Sequence, residues 1–210
     1  MTALLTKIRN RPIRETVFAD PPLTDPFVTE YQMPDTEACS VVIDRANQES
    51  RWSPSEVAEE GERGVDTEGR DSLQMGFAAW APPLEHQPLL QFAQDCLDGY
   101  LEKFPQAGVL PPFRIFEAYN LLKYEIGGAY HGIHSDWSPL PVVRHRHLTF
   151  VLFLNTVASG GELEFHHQGV RIKPVAGRAV IFPTGWTHAH HSLPADEERY
   201  VFQLWWSFNE

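Results

Sequence analysis

The sequence predicts a mainly β protein with flanking helices, an α+β arrangement in which a double-stranded β-helix (jelly roll) carries N-terminal helices on its outside. Short apolar runs separated by turn residues fill the second half of the chain, and no helical pattern of about 10–15 residues lies between them. The chain also has 17 prolines and 14 glycines, which suits a turn-rich fold better than a helical bundle. At 210 residues we expect one domain, with supporting segments over 1–112 and the jelly-roll core over 113–208.

Two helices are predicted in the first half. Asp35 is a good N-cap residue for a helix that runs to about Asn47. A second helix is predicted over 89–104, because apolar residues recur there at three- and four-residue spacing. Residues 53–71 are rich in Glu, Gly and Asp, which predicts a mobile surface loop. Residues 1–34 show no clear period, and we expect one short strand there at most.

The second half is predicted to form antiparallel strands. Turn signals such as paired glycines and Gly–Pro combinations separate them, and crossover helices for a parallel sheet are missing from the pattern. The predicted strands span 113–125, 147–155, 162–166, 170–172, 179–182, 188–192 and 200–208.

Composition excludes several classes of protein. A formal net charge of −11 argues against an electrostatic grip on a nucleic-acid backbone, so we expect no nucleic-acid partner. No apolar stretch approaches the length of a membrane span or a signal-peptide core, so we expect no membrane partner and a cytoplasmic, reducing compartment. Cys39 and Cys96 form neither a disulfide framework nor a cysteine-type zinc site.

His134 and Asp136 form the most informative pair of residues. In an extended segment, side chains two positions apart point to the same side, so both can reach one ion. Two imidazoles and one carboxylate on one face of a ferrous ion leave the opposite positions open for a bidentate cosubstrate and O₂. A third ligand must come from a neighbouring strand, and the segment from Trp186 to His191 offers three histidines.

Five ordered motifs surround this pair. They are Tyr124-Glu-Ile-Gly-Gly-Ala-Tyr130 leading into His134-Ser-Asp136, then Arg146-His-Leu-Thr149-Phe-Val-Leu-Phe-Leu-Asn155, Gly160-Gly161-Glu162, Lys173-Pro174-Val-Ala-Gly177-Arg-Ala-Val-Ile-Phe182-Pro183, and Arg199-Tyr200 followed by Trp205. In this order they resemble the iron(II)/2-oxoglutarate dioxygenases, and within them the prolyl 4-hydroxylase-like group. The resemblance covers roughly residues 113–208.

The resemblance implies a metal site formed by His134, Asp136 and His188. The family pattern Phe-Pro-x-x-Trp-x-His ends at His188 in this chain. By alternation, His190 lies on the same face and is a rival or supporting group, whereas His191 faces the other way and is expected outside the site.

The resemblance also implies a binding site for 2-oxoglutarate. Arg199 is expected to bind its far carboxylate, because a guanidinium can hold a carboxylate through two hydrogen bonds. It follows His188 by 199 − 188 = 11 residues, one or two more than is usual in the family, which we attribute to a longer turn over 193–198. The alternative is a rim arginine paired with a neighbouring glutamate. Tyr124 and Thr149 match positions whose hydroxyls assist this anchor, or they are plain strand packing.

The implied activity is hydroxylation of an unactivated C–H, with conversion of 2-oxoglutarate into succinate and CO₂. Its cofactors are Fe(II), 2-oxoglutarate as cosubstrate and O₂, and ascorbate is compatible with them. The substrate expected from the group is a prolyl residue in a peptide or protein. A free amino acid or other small molecule is the alternative, and a cupin-type metal-binding module without oxygenase activity is a different class.

Two positions depart from other branches of the family. Phe153 stands where some protein hydroxylases have a tyrosine, so no hydroxyl from that position contacts the cosubstrate. Trp205 stands six residues after Arg199, where the nucleic-acid demethylases place a further arginine. Together with the acidic charge, this argues against nucleic-acid demethylation. The sequence does not indicate an oligomeric state.

Overall fold

The computed structural model describes residues 27–59, 62–109, 111–141 and 143–208. The predictions for residues 1–26 therefore lie outside the described part of the chain. The helices are α1 (Glu37–Asn47) and α2 (Gln87–Lys103), with short 3₁₀ helices at Leu84–His86, Pro105–Gly108 and Trp186–His188. The strands are β1 (Thr29–Gln32), β2 (Ser53–Pro54), β3 (Val57–Glu59), β4 (Glu62–Gly64), β5 (Leu73–Phe77), β6 (Phe113–Arg114), β7 (Tyr119–Tyr124), β8 (Arg146–Phe153), β9 (Leu163–Phe165), β10 (Val170–Ile172), β11 (Arg178–Pro183), β12 (His190–Ser192) and β13 (Arg199–Phe208).

Two antiparallel sheets form the core of the described residues. The large sheet has the order β1-β11-β8-β13-β7-β5-β2, with β6 also paired to β13, and the small sheet has the order β10-β9-β12. The predicted jelly roll is confirmed by this topology and by the structures that resemble it. Strands β1, β2 and β5 come from before residue 113, so the large sheet draws on both parts of the chain.

The two predicted helices are present. At the start of α1, the Asp35 carboxylate accepts a hydrogen bond from the Glu37 N–H at 2.9 Å, close to the predicted cap. In α2, Leu89, Cys96 and Tyr100 lie on one buried face, as their spacing predicts.

The prediction of a mobile loop over residues 53–71 is wrong. Strand β2 pairs with β5 at the edge of the large sheet, and β3 pairs with β4 in a hairpin. Ser55 donates its N–H to the Ser72 carbonyl at 2.8 Å, and the Ser72 hydroxyl donates to the Ser55 hydroxyl at 2.7 Å. Backbone pairing at a sheet edge does not need the apolar alternation that the sequence lacks here.

The large sheet has two buried faces with different roles. Successive residues of a strand point to opposite faces, so Phe150 and Phe202 pack with α1 and α2, whereas Thr149 and Val201 point towards the small sheet. A second apolar cluster, which includes Phe165 of β9, fills part of the space between the sheets. Within the described part of the chain, no helix is long and apolar enough to cross a membrane.

Candidate active site

Backbone pairing joins the segment that carries His134 to strand β12. The His134 N–H donates to the His190 carbonyl at 3.0 Å, and the His190 N–H donates to the His134 carbonyl at 2.9 Å. This short bridge brings together positions separated by 190 − 134 = 56 residues.

His134, Asp136 and His190 form a cluster suited to a metal ion. One ligand atom from each lies within 4.8 Å of the others. His134 Nε2 is 3.9 Å from Asp136 Oδ1, and His190 Nε2 is 4.0 Å from Asp136 Oδ2. Asp136 and His190 are buried, whereas His134 is partly open to the cavity. Two imidazoles and a carboxylate converging in this way match the facial donor set of non-haem iron.

Hydrogen bonds orient both imidazoles. His134 Nδ1 lies 3.0 Å from the Gly132 carbonyl oxygen, and His190 Nδ1 lies 2.9 Å from the His188 carbonyl oxygen. A carbonyl can only accept, so each Nδ1 carries the proton and each Nε2 lone pair is free for a metal.

The carboxylate of Asp136 is held in its charged form. The Thr149 hydroxyl donates to Asp136 Oδ2 at 2.6 Å, and Arg146 Nη1 donates to the Asp136 carbonyl at 3.1 Å. Burial alone would raise the pKa of Asp136, but the two histidines, Arg146 and the Thr149 hydrogen bond outweigh it and lower that pKa. Burial and the neighbouring His190 lower the pKa of His134 to about 3. The site therefore presents a neutral His134 and a carboxylate, which is the form that binds a metal.

The prediction of His188 as the third member of the cluster is wrong in geometry, and His190 takes that place. Residues Trp186–His188 form a 3₁₀ turn, and the strand begins only at His190, so strand alternation does not apply at His188. The His188 ring instead has Nδ1 3.0 Å from the Thr187 hydroxyl, while its carbonyl orients His190. Arg199 follows His190 by 199 − 190 = 9 residues, so the extra spacing attributed to a longer turn disappears.

Arg199 begins β13 and is buried, with 1% of its surface exposed. Its Nη1 donates to the carbonyls of Gly161 and Leu193, and its Nη2 donates to the Ser192 hydroxyl at 3.0 Å. Its Nε is buried with no hydrogen-bond partner among the described residues. Burial lowers the pKa of Arg199, because the charged form is poorly solvated there. The alternative of a rim arginine is therefore wrong.

Gly161 explains the Gly-Gly-Glu motif. Its φ is +75°, a left-handed conformation that favours glycine, and a Cβ there would lie 3.3 Å from Arg199 Nη1. The turn thus lets a backbone carbonyl approach the buried guanidinium.

The structure separates the two hydroxyl residues predicted beside Arg199. Tyr124 is opposite Arg199 in the β7–β13 register, and Arg199 Cζ lies 4.1 Å from the centre of the Tyr124 ring. Thr149 is opposite Trp205 on β13, and its hydroxyl contacts Asp136. Thr149 therefore belongs with the metal-site carboxylate, and its predicted place at the arginine is wrong.

A cavity of about 410 Å³ joins these groups. It is bounded by the inner face of the large sheet, by the small sheet and by the segment at 56–57. His134, Asp136, His190, Tyr124 and Arg199 all line it. His191, expected outside the site, also contributes to its wall, whereas His188 does not line it.

Sequence reasoning missed a cluster in the wall of this cavity. Arg146 Nε donates to Glu117 at 2.7 Å, and Arg146 Cζ lies 3.6 Å from the centre of the Trp205 ring. Trp205 Nε1 is buried with no hydrogen-bond partner among the described residues. Arg146 and Trp205 lay within quoted motifs, but only the fold brings Glu117 beside them.

Comparisons with known proteins agree with this geometry. The family model of the 2OG-Fe(II) oxygenase superfamily matches residues 119–207. Residues 119–207 belong to the 2OG-Fe(II) oxygenase superfamily. The matched range contains the metal cluster, Arg199 and most of the cavity wall.

Relatives and solved structures resemble this oxygenase beyond the matched range. Prolyl 4-hydroxylase 13 of Arabidopsis thaliana is 27% identical over 206 residues, which cover 85% of this chain and 68% of the relative. A viral collagen prolyl hydroxylase from Paramecium Bursaria Chlorella virus-1, solved with 2-oxoglutarate, has a TM-score of 0.65 at 18% identity, covering 87% of this chain and 97% of that one. A prolyl hydroxylase from Trichoplax adhaerens, solved with a peptide fragment, has a TM-score of 0.67 at 18% identity, covering 88% and 85%.

The match over residues 119–207, together with the metal cluster, supports a dioxygenase that uses Fe(II), 2-oxoglutarate and O₂. The residues present fit both the metal and the cosubstrate. The donor set of His134, Asp136 and His190 has the ligand types for Fe(II). The unpartnered Nε of buried Arg199 is the kind of donor that a buried carboxylate requires.

Proposed function

We propose that this chain hydroxylates a prolyl residue in a peptide or protein. His134, Asp136 and His190 would hold Fe(II), and Arg199 with Tyr124 would bind the far carboxylate of 2-oxoglutarate. One observation carries the assignment of these residues. The unpartnered, buried Nε of Arg199 lines the same cavity as the His-Asp-His cluster.

When bound, iron and 2-oxoglutarate together supply the activation of O₂ that breaks a substrate C–H bond. The chain contributes geometry and exclusion of water. Gly132 and His188 carbonyls fix the two imidazoles, and Thr149 fixes the carboxylate of Asp136. Leu122, Val151 and Val201 line the cavity and give it an apolar floor. No proton has to be removed by a general base, so none is assigned.

The substrate is proposed to enter beside Arg146 and Trp205. The Arg146 side chain is held by Glu117 and by the Trp205 ring, so it is fixed before any substrate binds. Trp205 Nε1 would donate to a substrate carbonyl, which every peptide bond supplies. Support for a prolyl substrate comes from the names of the three similar proteins described above, each of which is a prolyl hydroxylase.

The test measures succinate and the mass of the substrate together. Proline-containing peptides should gain one oxygen atom, and an equal amount of succinate should form from 2-oxoglutarate. Matched peptides with alanine in place of proline should gain no oxygen and should cause no succinate to form. Free proline is the second arm. Oxygen gained by free proline and not by any prolyl peptide would overturn the peptide assignment in favour of a small-molecule hydroxylase.

A further inference from the structure

Ser192 lies between the metal cluster and the arginine. It ends strand β12, two residues after His190, and 7% of its surface is exposed. Its neighbours on the two sides are Tyr130, in the segment before His134, and Arg199 at the start of β13.

The Ser192 hydroxyl oxygen accepts two hydrogen bonds. The Tyr130 N–H donates to it at 2.8 Å, and Arg199 Nη2 donates to it at 3.0 Å. A hydroxyl oxygen has two acceptor lone pairs, so these two donors use its full capacity. The Ser192 N–H also donates to the Tyr130 carbonyl at 2.9 Å, so Ser192 holds both polar groups of the Tyr130 backbone.

On the metal side, Tyr130 supports His134. The two rings are stacked, with centres 3.6 Å apart and an angle of 11° between their planes. Arg70 lies over the Tyr130 ring, with Cζ 5.1 Å from its centre. The position of the Tyr130 backbone therefore sets where the His134 ring can lie, in addition to the hydrogen bond from its Nδ1.

On the arginine side, Ser192 selects which donors stay free. A guanidinium has five N–H donors. The carbonyls of Gly161 and Leu193 accept from Nη1, and Ser192 accepts one hydrogen of Nη2. The Nε–H has no partner among the described residues, and the Tyr124 side chain also interacts with the guanidinium. The Nε–H is thus the donor left for a carboxylate.

We propose that the Ser192 hydroxyl is a positioning group that couples the cosubstrate site to the metal site. One oxygen orients Arg199 for the far carboxylate of 2-oxoglutarate and holds Tyr130 against His134. The inference rests on the proposed roles of Arg199 and His134. Removing the hydroxyl leaves the partly buried Tyr130 N–H and a buried Arg199 N–H without their acceptor, one on each side, so both sites lose their alignment together.

The experiment measures two affinities separately on the full chain. Calorimetry gives the affinity for Mn²⁺, used as a redox-inert probe, without cosubstrate, and then the affinity for 2-oxoglutarate at saturating Mn²⁺. Ser192→Ala should weaken both, each by about tenfold or more. Ser192→Thr keeps the hydroxyl and should stay within about threefold of the unmodified protein for both ligands.

Three further variants separate coupling from general damage. Arg199→Ala should weaken 2-oxoglutarate binding alone. Tyr130→Ala should weaken Mn²⁺ binding more than 2-oxoglutarate binding. Tyr119→Phe is the matched control, since the buried Tyr119 hydroxyl is bonded to His86 outside the cavity wall, and it should move neither affinity. Thermal melting confirms that each variant is folded. If Ser192→Ala does not fold, Ser192→Cys, which keeps the volume but is a weak acceptor, replaces it.

A folded Ser192→Ala protein that keeps either affinity would overturn the coupling role. Failure of the unmodified chain to bind Mn²⁺ and 2-oxoglutarate would instead overturn the proposed site residues, so the two failures are distinguishable.

Discussion

On the outer face of the large sheet, Phe150, Ile181 and Phe202 are fully buried among apolar neighbours. The inner face of β8 and β13 is buried almost as deeply, yet it presents Thr149 and Arg199. The outer face is built mainly from apolar contacts, and among the described residues the Tyr31 hydroxyl is its one buried polar atom without a partner. The inner face has buried donors without partners among the described residues, at Arg199 Nε and Trp205 Nε1.

Depth of burial therefore does not separate scaffold from site in this protein. What separates them is unused hydrogen-bonding capacity that lines a cavity, since a buried polar atom without a partner costs free energy unless a ligand can reach it and supply one. Because alternate residues of one strand serve the two faces, stability and activity should respond to substitutions at adjacent positions in different ways.

The largest effect on stability is expected on the outer face. Phe202→Ala should lower the free energy of unfolding by about 3–5 kcal/mol, since it opens a cavity among residues of both helices and the sheet. Urea unfolding followed by circular dichroism measures the change. Gln203→Ala, the adjacent inner position, is the matched comparison and should cost about 1 kcal/mol or less. Equal costs at the two positions would contradict the division between the faces.

A smaller effect, confined to function, is expected on the inner face. Thr149→Val keeps the shape of the side chain but removes the hydroxyl that donates to Asp136 at 2.6 Å. Metal affinity should fall by about 10–100-fold, the usual cost of removing a partner of a ligating carboxylate. Thr149→Ser restores the donor and should recover most of the affinity in a Mn²⁺ titration. Unchanged affinity in Thr149→Val would remove Thr149 from the support of the metal site.

The smallest expected effect is a pH dependence of the free energy of unfolding that arises from His86 on the outer face. His86 is buried against Phe77, Tyr119 and Phe202, with Nδ1 2.9 Å from the Tyr119 hydroxyl. Burial lowers its pKa below the ordinary 6.5, against the opposing effect of Glu85. The unfolded chain therefore takes up this proton first, so the stability contributed by His86 is complete above pH 6.5 and is lost as pH falls below it.

The measurement is the free energy of unfolding between pH 7.5 and 5.5 for the unmodified chain and for His86→Gln. The unmodified chain should lose more stability on acidification than the variant does. Taking the difference between the two proteins removes the contribution of His134, whose pKa is also lowered. Identical pH dependence would show that His86 is not protonated preferentially in the unfolded state.

Much of the fold was predictable because its signals are local. The spacing of apolar residues predicted the bounds of α2 to within two residues. The turn residues on both sides of Val170–Ile172 predicted the bounds of that strand correctly. The strands at 53–64 were not predictable, because their partners lie at a sheet edge or within a hairpin and their residues are mostly polar.

The site residues likewise include some that local spacing predicts and others that depend on the fold. His134 and Asp136 share one short segment, so alternation was enough to pair them. His188 and His190 could not be distinguished, because the choice depends on where a 3₁₀ turn gives way to strand β12. Pairing of Thr149 with Asp136 and of Ser192 with Arg199 depends on contacts across the fold, which one sequence does not reveal.

The most direct test of the central claim compares two histidines that are two residues apart. Anaerobic addition of Fe(II) and 2-oxoglutarate to the unmodified chain should give the weak visible charge-transfer band of the chelated pair. His190→Ala should abolish the band, and His188→Ala should retain it, since the His188 carbonyl that orients His190 is part of the backbone. A band that survives in His190→Ala and disappears in His188→Ala would contradict the account.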